Sequence, residues 1–434
     1  MKGLILTYIV TFAGSLAAIP YPLIGLQVYV GLAILRPQFI FGFAGDLSNL
    51  SFVVGVAVLI GWALKGFGSW RFGRAWPVVV SFLLFVLWFL VSASQALDPA
   101  VAFDSAKELS KLVLPFVVGV TLMEGEKDWR PLLWTIVLAQ GYVGFEQNLN
   151  YLVKGYNTAG DGFGGMDNNC FGVSLVTVLG PAVTLMVSSK TWSARALAAI
   201  ATALMLHTTL LTYSRGAMLG LIAVALTAFV MMPKRPKYIG ALVLTSLISL
   251  RFIGPQLAER YSSTFVSAGE RDSSSESRLD LWKSCLQVIG EYPVFGVGPA
   301  NWRIIAARYG WPEGKSAHSV WMETGAEEDI PGALFLILFF GTAMVRLWPI
   351  ARARPTETNQ NEIILASGVI LAIVGFVVSG QFVSVPGLEV PYYVTMLGAA
   401  MLKTTTREAV IGAAPDVVPR QFGYPPGTPL RQLP

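Results

Sequence analysis

The chain has 434 residues, of which 54% are hydrophobic and 13% are charged, and its mean hydropathy is +0.60. So few charged side chains cannot cover a water-soluble globule, and disorder requires the opposite balance. The net charge of +5 gives no indication of a nucleic-acid partner. Two histidines and two cysteines are too few for zinc clusters, haem pairs or iron–sulfur centres, so we expect no metal site and no cofactor.

Long apolar runs predict an all-α polytopic membrane protein with about 12 to 13 transmembrane helices, since one span needs about 20 mostly apolar residues. The runs lie near residues 3–19, 22–41, 49–66, 76–95, 108–124, 131–152, 169–188, 194–212, 215–232, 237–254, 328–348, 361–380 and 388–403. They divide the chain into an N-terminal transmembrane bundle (1–254), a polar loop (255–319), C-terminal transmembrane helices (320–403) and a tail (404–434) that is expected to be flexible.

Positive charge predicts the orientation of the spans, because lysine and arginine collect in short cytoplasmic loops. One set of alternate loops holds only Arg36, Lys107, Lys111 and Lys154. The other set holds Lys65, Arg71, Arg74, Lys127, Arg130, Lys190, Arg195, Lys234, Arg235, Lys237, Arg346, Arg352, Arg354, Lys403 and Arg407. The second set and the tail are therefore expected in the cytoplasm, and the polar loop is expected on the opposite face.

The polar loop is long enough to carry function. Ser277 with Asp280 fits a capping box, and apolar residues then recur at helical spacing at Leu279, Trp282, Leu286 and Ile289. We predict an amphipathic helix near residues 277–290 that lies at the membrane surface or over the bundle. Cys285 in this helix and Cys170 both lie on the non-cytoplasmic side, which leaves a disulfide open.

Two arginines and one histidine on the non-cytoplasmic side are candidate catalytic residues. Arg278 in the first helical turn would bind an anion together with the helix terminus; the simpler alternative is a surface ion pair with Asp280 or Glu276. Arg215 lies between two apolar runs, where an arginine must snorkel or have an anionic partner. His318, at the membrane boundary, can act as a base near neutral pH, although a lone interfacial histidine is more often structural.

Two arginines with a general base suit transfer from a diphosphate leaving group. The arginines would neutralise charge that develops on the diphosphate, and His318 would deprotonate an acceptor hydroxyl. The following carboxylates would orient the histidine or the acceptor, or cap the next span; they are Glu323, Glu327, Glu328 and Asp329. Nearby aromatic residues favour anchoring at the interface over stacking on sugars; they are Trp302, Tyr309, Trp311 and Trp321. The second histidine, His207, is expected to be hydrogen-bonded inside the bundle.

These segments resemble the O-antigen ligase/polymerase family of bacterial surface-glycan enzymes. The shared pattern is Ser-Arg-Gly at 214–216, Arg-x-x-x-Trp at 278–282, Pro-x-x-Gly-Val-Gly-Pro at 293–299, Ala-His at 317–318 and Ile-Pro-Gly at 330–332. Ser319 replaces the usual Asn, and Asp329 replaces the usual Gly. The segment 164–169, which ends at Asn169, resembles the family's asparagine-containing outer loop. Residues 1–125 are similar, more loosely, to the exosortase-associated O-glycosylation ligase subgroup, through Leu35-Arg36-Pro37 and residues 42–45.

The resemblance implies a GT-C-like glycosyltransferase in the bacterial inner membrane with its active site in a periplasmic loop. It implies a metal-independent ligase that moves a glycan from undecaprenyl diphosphate to a hydroxyl of a glycan, lipid or protein acceptor. Carried over, Arg215 and Arg278 hold the diphosphate and His318 is the base. Substrate-binding positions also include Trp282, Asn169, Trp321 and Glu327. A polymerase that joins lipid-linked repeat units, and a glycolipid transporter or flippase, are the alternatives.

Overall fold

The computed structural model describes residues 2–41, 50–232, 234–251, 273–356, 359–384 and 388–405. Within these ranges the regular structure is helical, and the one β-type contact is an isolated bridge between Phe163 and Met166. The predicted all-α class is confirmed. Residues 42–45 of the N-terminal resemblance, the first part of the polar loop and nearly all of the proposed tail lie outside the described ranges.

The helices of the first half are α1 (Lys2–Ala18), α2 (Pro22–Leu35), α3 (Pro37–Phe41), α4 (Leu50–Leu64), α5 (Trp76–Ser94), α6 (Pro99–Leu122), α7 (Glu126–Leu152) and α8 (Asn168–Ser188). Those of the second half are α9 (Trp192–Leu211), α10 (Arg215–Met231), α11 (Pro236–Arg251), α12 (Ser273–Glu291), α13 (Trp302–Ile305), α14 (Val320–Ala351), α15 (Gln360–Ser379) and α16 (Val390–Thr404). Several begin at a residue whose side chain accepts a free backbone N–H of the first turn, as expected of N-caps; these are Asp98, Asp167, Thr191, Ser214 and Ser319.

In the described part of the chain, 5 helices are long and apolar enough to cross a membrane. They are Gly73–Ser94, Asn168–Ser188, Trp192–Leu211, Val320–Ala351 and Gln360–Phe382. Four further apolar helices, α1, α2, α4 and α10, have 10–17 residues. The protein is therefore a multi-pass membrane protein, whereas the full number of about 12 to 13 spans stays a prediction.

Helices α8, α15 and α16 form the centre of the bundle. A Cβ atom at Gly180 of α8 would lie only 2.4 Å from the carbonyl oxygen of Gly368 in α15, so these two helices approach with their backbones nearly in contact. Inside a membrane, small residues at such crossings allow apolar helices to approach closely and to pack favourably. Helix α16 is buried along most of its length, and its Tyr392 ring stacks on Phe339 of α14 with centroids 5.7 Å apart.

Two arginines of the basic set of loops lie at the C-terminal end of α8. At its C-terminal end, Arg130 donates to the Ser188 carbonyl at 3.0 Å and Arg195 to the Ser189 carbonyl at 2.7 Å. A cation at a helix C-terminus lies next to free carbonyls and the negative end of the dipole. We call this the basic end, and the end at Asn168 the loop end, because residues 273–319 pack there. The alternation of the loops and the side of the membrane that each end faces stay predictions.

Helix α12 differs from the sequence-based prediction in two ways. It begins at Ser273, so the capping box predicted at Ser277 is wrong. The serines and the glutamate at 273–276 have only slightly unfavourable helix propensities, so the helix can include them. Its buried stripe is Leu281, Cys285 and Val288, whereas Leu279 and Leu286 are 47% and 56% exposed. The helix lies over the bundle against α14, with part of its predicted apolar face turned outward.

Candidate functional site

The segment that carries His318 is built on a small hydrophobic core separate from the main one. The core joins the inner face of α12 to the following turns and to α14, and consists of Leu281, Cys285, Val288, Val297, Trp302, Ile305, Ala306, Ala317 and Ala326. Ala317, the neighbour of His318, is completely buried in it. The backbone that positions His318 is therefore anchored by packing on one side of the histidine.

Two hydrogen bonds position the backbone around His318. The indole N–H of Trp282 donates to the Ala317 carbonyl at 3.1 Å, and the backbone N–H of His318 donates to the Ser384 hydroxyl at 3.0 Å. His318 has φ +50°, a conformation that few non-glycine residues adopt and that persists where neighbours impose it. His318 is thus held between α12 and the segment that follows α15.

Phe382, in that segment, lies between the two arginine motifs. A Cβ at Gly216 would come within 2.9 Å of the Phe382 Cβ, so only glycine allows this approach next to Arg215. On its other side, the Phe382 ring lies 6.2 Å from the Trp282 ring, one helical turn from Arg278. The structure therefore brings Ser-Arg-Gly and Arg-x-x-x-Trp together around one phenylalanine.

Ser384 links the histidine to the central helix α8. Its hydroxyl accepts from His318, and its carbonyl accepts from the thiol of Cys170 at 3.0 Å. The carboxylate of Glu323 lies beside the same hydroxyl. Neither Phe382 nor Ser384 was predicted from the sequence. Their only signal there is a polar and an aromatic residue directly after an apolar span, which is too common to be diagnostic.

Asn169 contacts the Ser-Arg-Gly turn directly. Its Oδ1 accepts from the Ser214 hydroxyl at 2.9 Å, while Ser214 accepts from the Ala217 N–H as the N-cap of α10. Next to it, the Asn168 amide donates to the Thr212 carbonyl at 2.9 Å. The first turn of α8 therefore fixes the turn that presents Arg215.

The two arginines are half-buried. Arg215 is the first residue of α10, so it stands at a helix N-terminus. Arg278 lies beyond the first turn of α12, because this helix begins at Ser273; the predicted contribution of the α12 terminus to anion binding is therefore wrong. Asp280, the simple ion-pair partner considered for Arg278, lies 2.8 Å from Lys283.

The environment of His318 favours its neutral form. Burial lowers the pKa of His318 below its ordinary value of 6.5, and the nearby cations Arg278, Lys315 and Arg303 lower it further, while Asp167 opposes them. A neutral imidazole can accept a proton, so this side chain is in the state that a general base requires near neutral pH.

The remaining predicted site residues have structural contacts. Trp321 donates through its indole N–H to the Val377 carbonyl at 3.3 Å, which ties α14 to α15. Glu327 is buried, and its Oε1 accepts from the Trp302 backbone at 3.2 Å. Trp302 itself is 0% exposed, so it belongs to the core rather than to an interfacial anchor. Substrate contacts of Trp282, Asn169, Trp321 and Glu327 stay predictions.

The Gly-Val-Gly turn is attached to α14 by backbone hydrogen bonds. Gly296 and Gly298 have φ of +68° and +97°, which glycine adopts without strain. The Gly298 N–H donates to the Glu327 carbonyl at 2.8 Å and that of Val297 donates to the Ala326 carbonyl at 3.1 Å. These two hydrogen bonds attach the polar loop to the turns of α14 that carry the carboxylates.

Both departures from the family pattern have a structural basis. Ser319 is the N-cap of α14, which starts eight residues before the predicted span, and its hydroxyl accepts from the Met322 N–H at 3.3 Å; serine and asparagine cap helices about equally well. Asp329 has φ +55° and ψ −165°, a conformation normally reserved for glycine. Its carboxylate accepts from the Val294 N–H and offsets part of that strain.

The structure also shows the environment of the second histidine and of the two cysteines. His207 is hydrogen-bonded to Asn148 inside the bundle, as expected. Cys170 and Cys285 are free thiols, so the disulfide left open by the sequence is not formed. Among the described residues, no three His, Cys, Asp or Glu side chains are grouped as a metal site.

Taken together, the described residues form a multi-pass membrane protein in which the segments that carry Arg215, Arg278 and His318 meet at the loop end. The O-antigen ligase family model matches residues 200–337, a range that contains Arg215, Arg278 and His318. This match, which covers about a third of the chain, bears out the resemblance over that range. A comparison with curated proteins found no match.

Proposed function

We propose that the protein is a metal-independent glycan ligase that uses an undecaprenyl-diphosphate-linked donor and works at the periplasmic face of the inner membrane. One observation carries the proposal: Ser-Arg-Gly, Arg-x-x-x-Trp and the His318 loop converge on Phe382 and Ser384. Two guanidinium groups and a neutral imidazole, carried by three segments that meet at residues 382–384, match what transfer from a diphosphate needs.

In the proposed reaction the donor enters from the lipid with its diphosphate near Arg215 and Arg278. His318 takes the proton of an acceptor hydroxyl while the hydroxyl oxygen forms a bond to the anomeric carbon. The bond between that carbon and the diphosphate oxygen breaks, and undecaprenyl diphosphate leaves with its charge held by the arginines. A single displacement of this kind inverts the anomeric configuration.

The test uses His318→Gln, with His207→Gln as the matched control because it changes the other histidine and leaves the site intact. Transfer from lipid-linked donor is measured in nanodiscs at equal folded protein. We expect His318→Gln to lose about 10²- to 10⁴-fold in rate and His207→Gln to retain activity. Undiminished transfer by His318→Gln would refute the assigned base, and a strict requirement for a divalent metal, revealed by chelator, would contradict the metal-independent mechanism.

The same assay separates the alternatives. With donor alone, lengthening of the glycan on the lipid would identify a polymerase, whereas transfer that depends on a second acceptor identifies a ligase. Movement of glycolipid across the bilayer without any covalent product would identify a transporter.

A further inference from the structure

The turn directly after α12 lies against the side of α5. Helix α5 ends at the loop end, where the Leu97 N–H donates to the Val297 carbonyl at 3.0 Å. The Ser92 hydroxyl donates to the Phe295 carbonyl at 2.7 Å, and the Phe295 ring stacks on the Trp88 ring with centroids 5.8 Å apart. Trp88 lies one helical turn before Ser92. The Phe295 side chain therefore extends from the polar loop along α5, away from the loop end.

Trp88 belongs to the part of α5 that can cross the membrane. The apolar span Gly73–Ser94 has 22 residues and a length of about 33 Å, close to the hydrocarbon thickness of about 30 Å. Trp88 lies about 9 Å from the Ser94 end of this span. That distance places the Trp88 ring, and the Phe295 ring stacked on it, at the depth of the hydrocarbon.

The surface beside the two stacked rings is apolar and exposed on both neighbouring helices. Trp88 lies at the junction of these helices, because its indole N–H donates to the Glu328 carbonyl of α14 at 2.9 Å and its ring lies 6.4 Å from that of Phe335. Exposed leucines flank the junction on both helices; they are Leu84 and Leu87 of α5 and Leu334 and Leu338 of α14. Membrane spans present such side chains to lipid. The turn after α12 therefore continues a surface that faces lipid.

The tip of this turn is Val294, which lies beside the kink of α14. Its N–H donates to the Asp329 carboxylate, and the next residue of α14, Ile330, is 66% exposed. Val294 is 48% exposed at φ +81°, a backbone conformation that is an outlier for a β-branched residue. Neighbouring contacts thus hold an apolar side chain outward despite the strain. Water disfavours this exposure, whereas lipid chains do not.

We propose that the turn at residues 293–295 inserts into the bilayer at the loop end, with the acyl chains of the lipids as its partner. The Gly-Val-Gly residues that follow the turn are hydrogen-bonded to α14, so the insertion also holds the polar loop against the membrane surface. This inference goes beyond the proposed transferase function and does not depend on it.

The test measures which quencher reaches a fluorophore on the turn. Val294→Cys is labelled with an NBD iodoacetamide in the full chain in nanodiscs, and the wild-type chain, whose two cysteines are buried, gives the background. Leu87→Cys, on the exposed surface of α5, is the positive control, and Glu313→Cys, on an exposed turn of the polar loop, is the negative control. Lipids with a nitroxide on the acyl chain should quench the label at 294 as strongly as at 87, and iodide should quench only at 313.

Two results would overturn the proposal. Quenching at 294 by iodide but not by the nitroxide lipid would place the turn in water. Protection of residue 294 from both quenchers would show that protein, such as a second copy of the chain, covers the turn. Phe295→Cys, labelled in the same way, gives a second position if Val294→Cys does not keep wild-type thermal stability. No donor or acceptor is added, so the outcome is independent of glycan transfer.

Discussion

Trp282→Phe isolates one hydrogen bond on which the geometry of the site depends. The substitution removes the indole N–H that donates to the Ala317 carbonyl at 3.1 Å. A phenylalanine ring can still pack against Phe382, whose ring lies 6.2 Å from that of Trp282. The bond joins the helix that carries Arg278 to the residue before His318, so its loss loosens the spacing between arginine and base.

The size of the effect follows from burial. Ala317 is 0% exposed, so its carbonyl loses a partner that water cannot easily replace. Leaving a buried acceptor unsatisfied costs about 1–3 kcal/mol. If that energy is lost from the docked arrangement of the His318 segment, its population relative to displaced arrangements falls roughly 5- to 150-fold, at 1.36 kcal/mol for each factor of ten.

The matched control is Trp302→Phe. Trp302 is also 0% exposed and belongs to the same small core, but its indole N–H has no hydrogen-bond partner among the described residues. The control therefore makes the same chemical change without removing a bond. Transfer from lipid-linked donor is compared at equal folded protein, with thermal stability measured in parallel.

We expect Trp282→Phe to lower kcat, by no more than the roughly 150-fold fall in that ratio, and Trp302→Phe to remain close to wild type in kcat. Equal kcat for wild type and Trp282→Phe would refute the reasoning, because the bond would then have no part in positioning His318. Equal losses in both variants would show that the ring volume, rather than the hydrogen bond, is what the site requires.

Three further predictions follow from the same geometry. The pKa of His318 is lowered below 6.5, and only the neutral imidazole accepts a proton, so kcat/KM should rise with pH through a midpoint below 6.5. Arg278→Gln removes one of the cations that lower this pKa, so it should move the midpoint to higher pH. At Asp329, where φ is +55°, the glycine variant should be more stable to heat than the alanine variant by about 1–3 kcal/mol, since both lose the carboxylate but only glycine relieves the strain; equal stability would contradict the strain. Gly216→Ala should reduce transfer, because its methyl group would lie 2.9 Å from the Phe382 Cβ, and a variant with full activity would show that Phe382 moves freely.

The sequence predicted the class of fold because hydropathy is a local property, and it singled out Arg215 and His318 as candidates because their motifs are contiguous. It misplaced the start of α12, where serine and glutamate fit both a cap and a first helical turn. It could not reveal Ser384, which is 66 residues from its hydrogen-bond partner His318 and carries no distinctive pattern.

By itself, the sequence determined that this is a many-span membrane protein and which polar side chains are available to any site, because hydropathy and composition are local properties. Only the tertiary structure decided which of them meet. Packing of α10, α12 and α14 around Phe382 and Ser384 joins three motifs. Those relations depend on contacts between residues far apart in the chain, which no local pattern records.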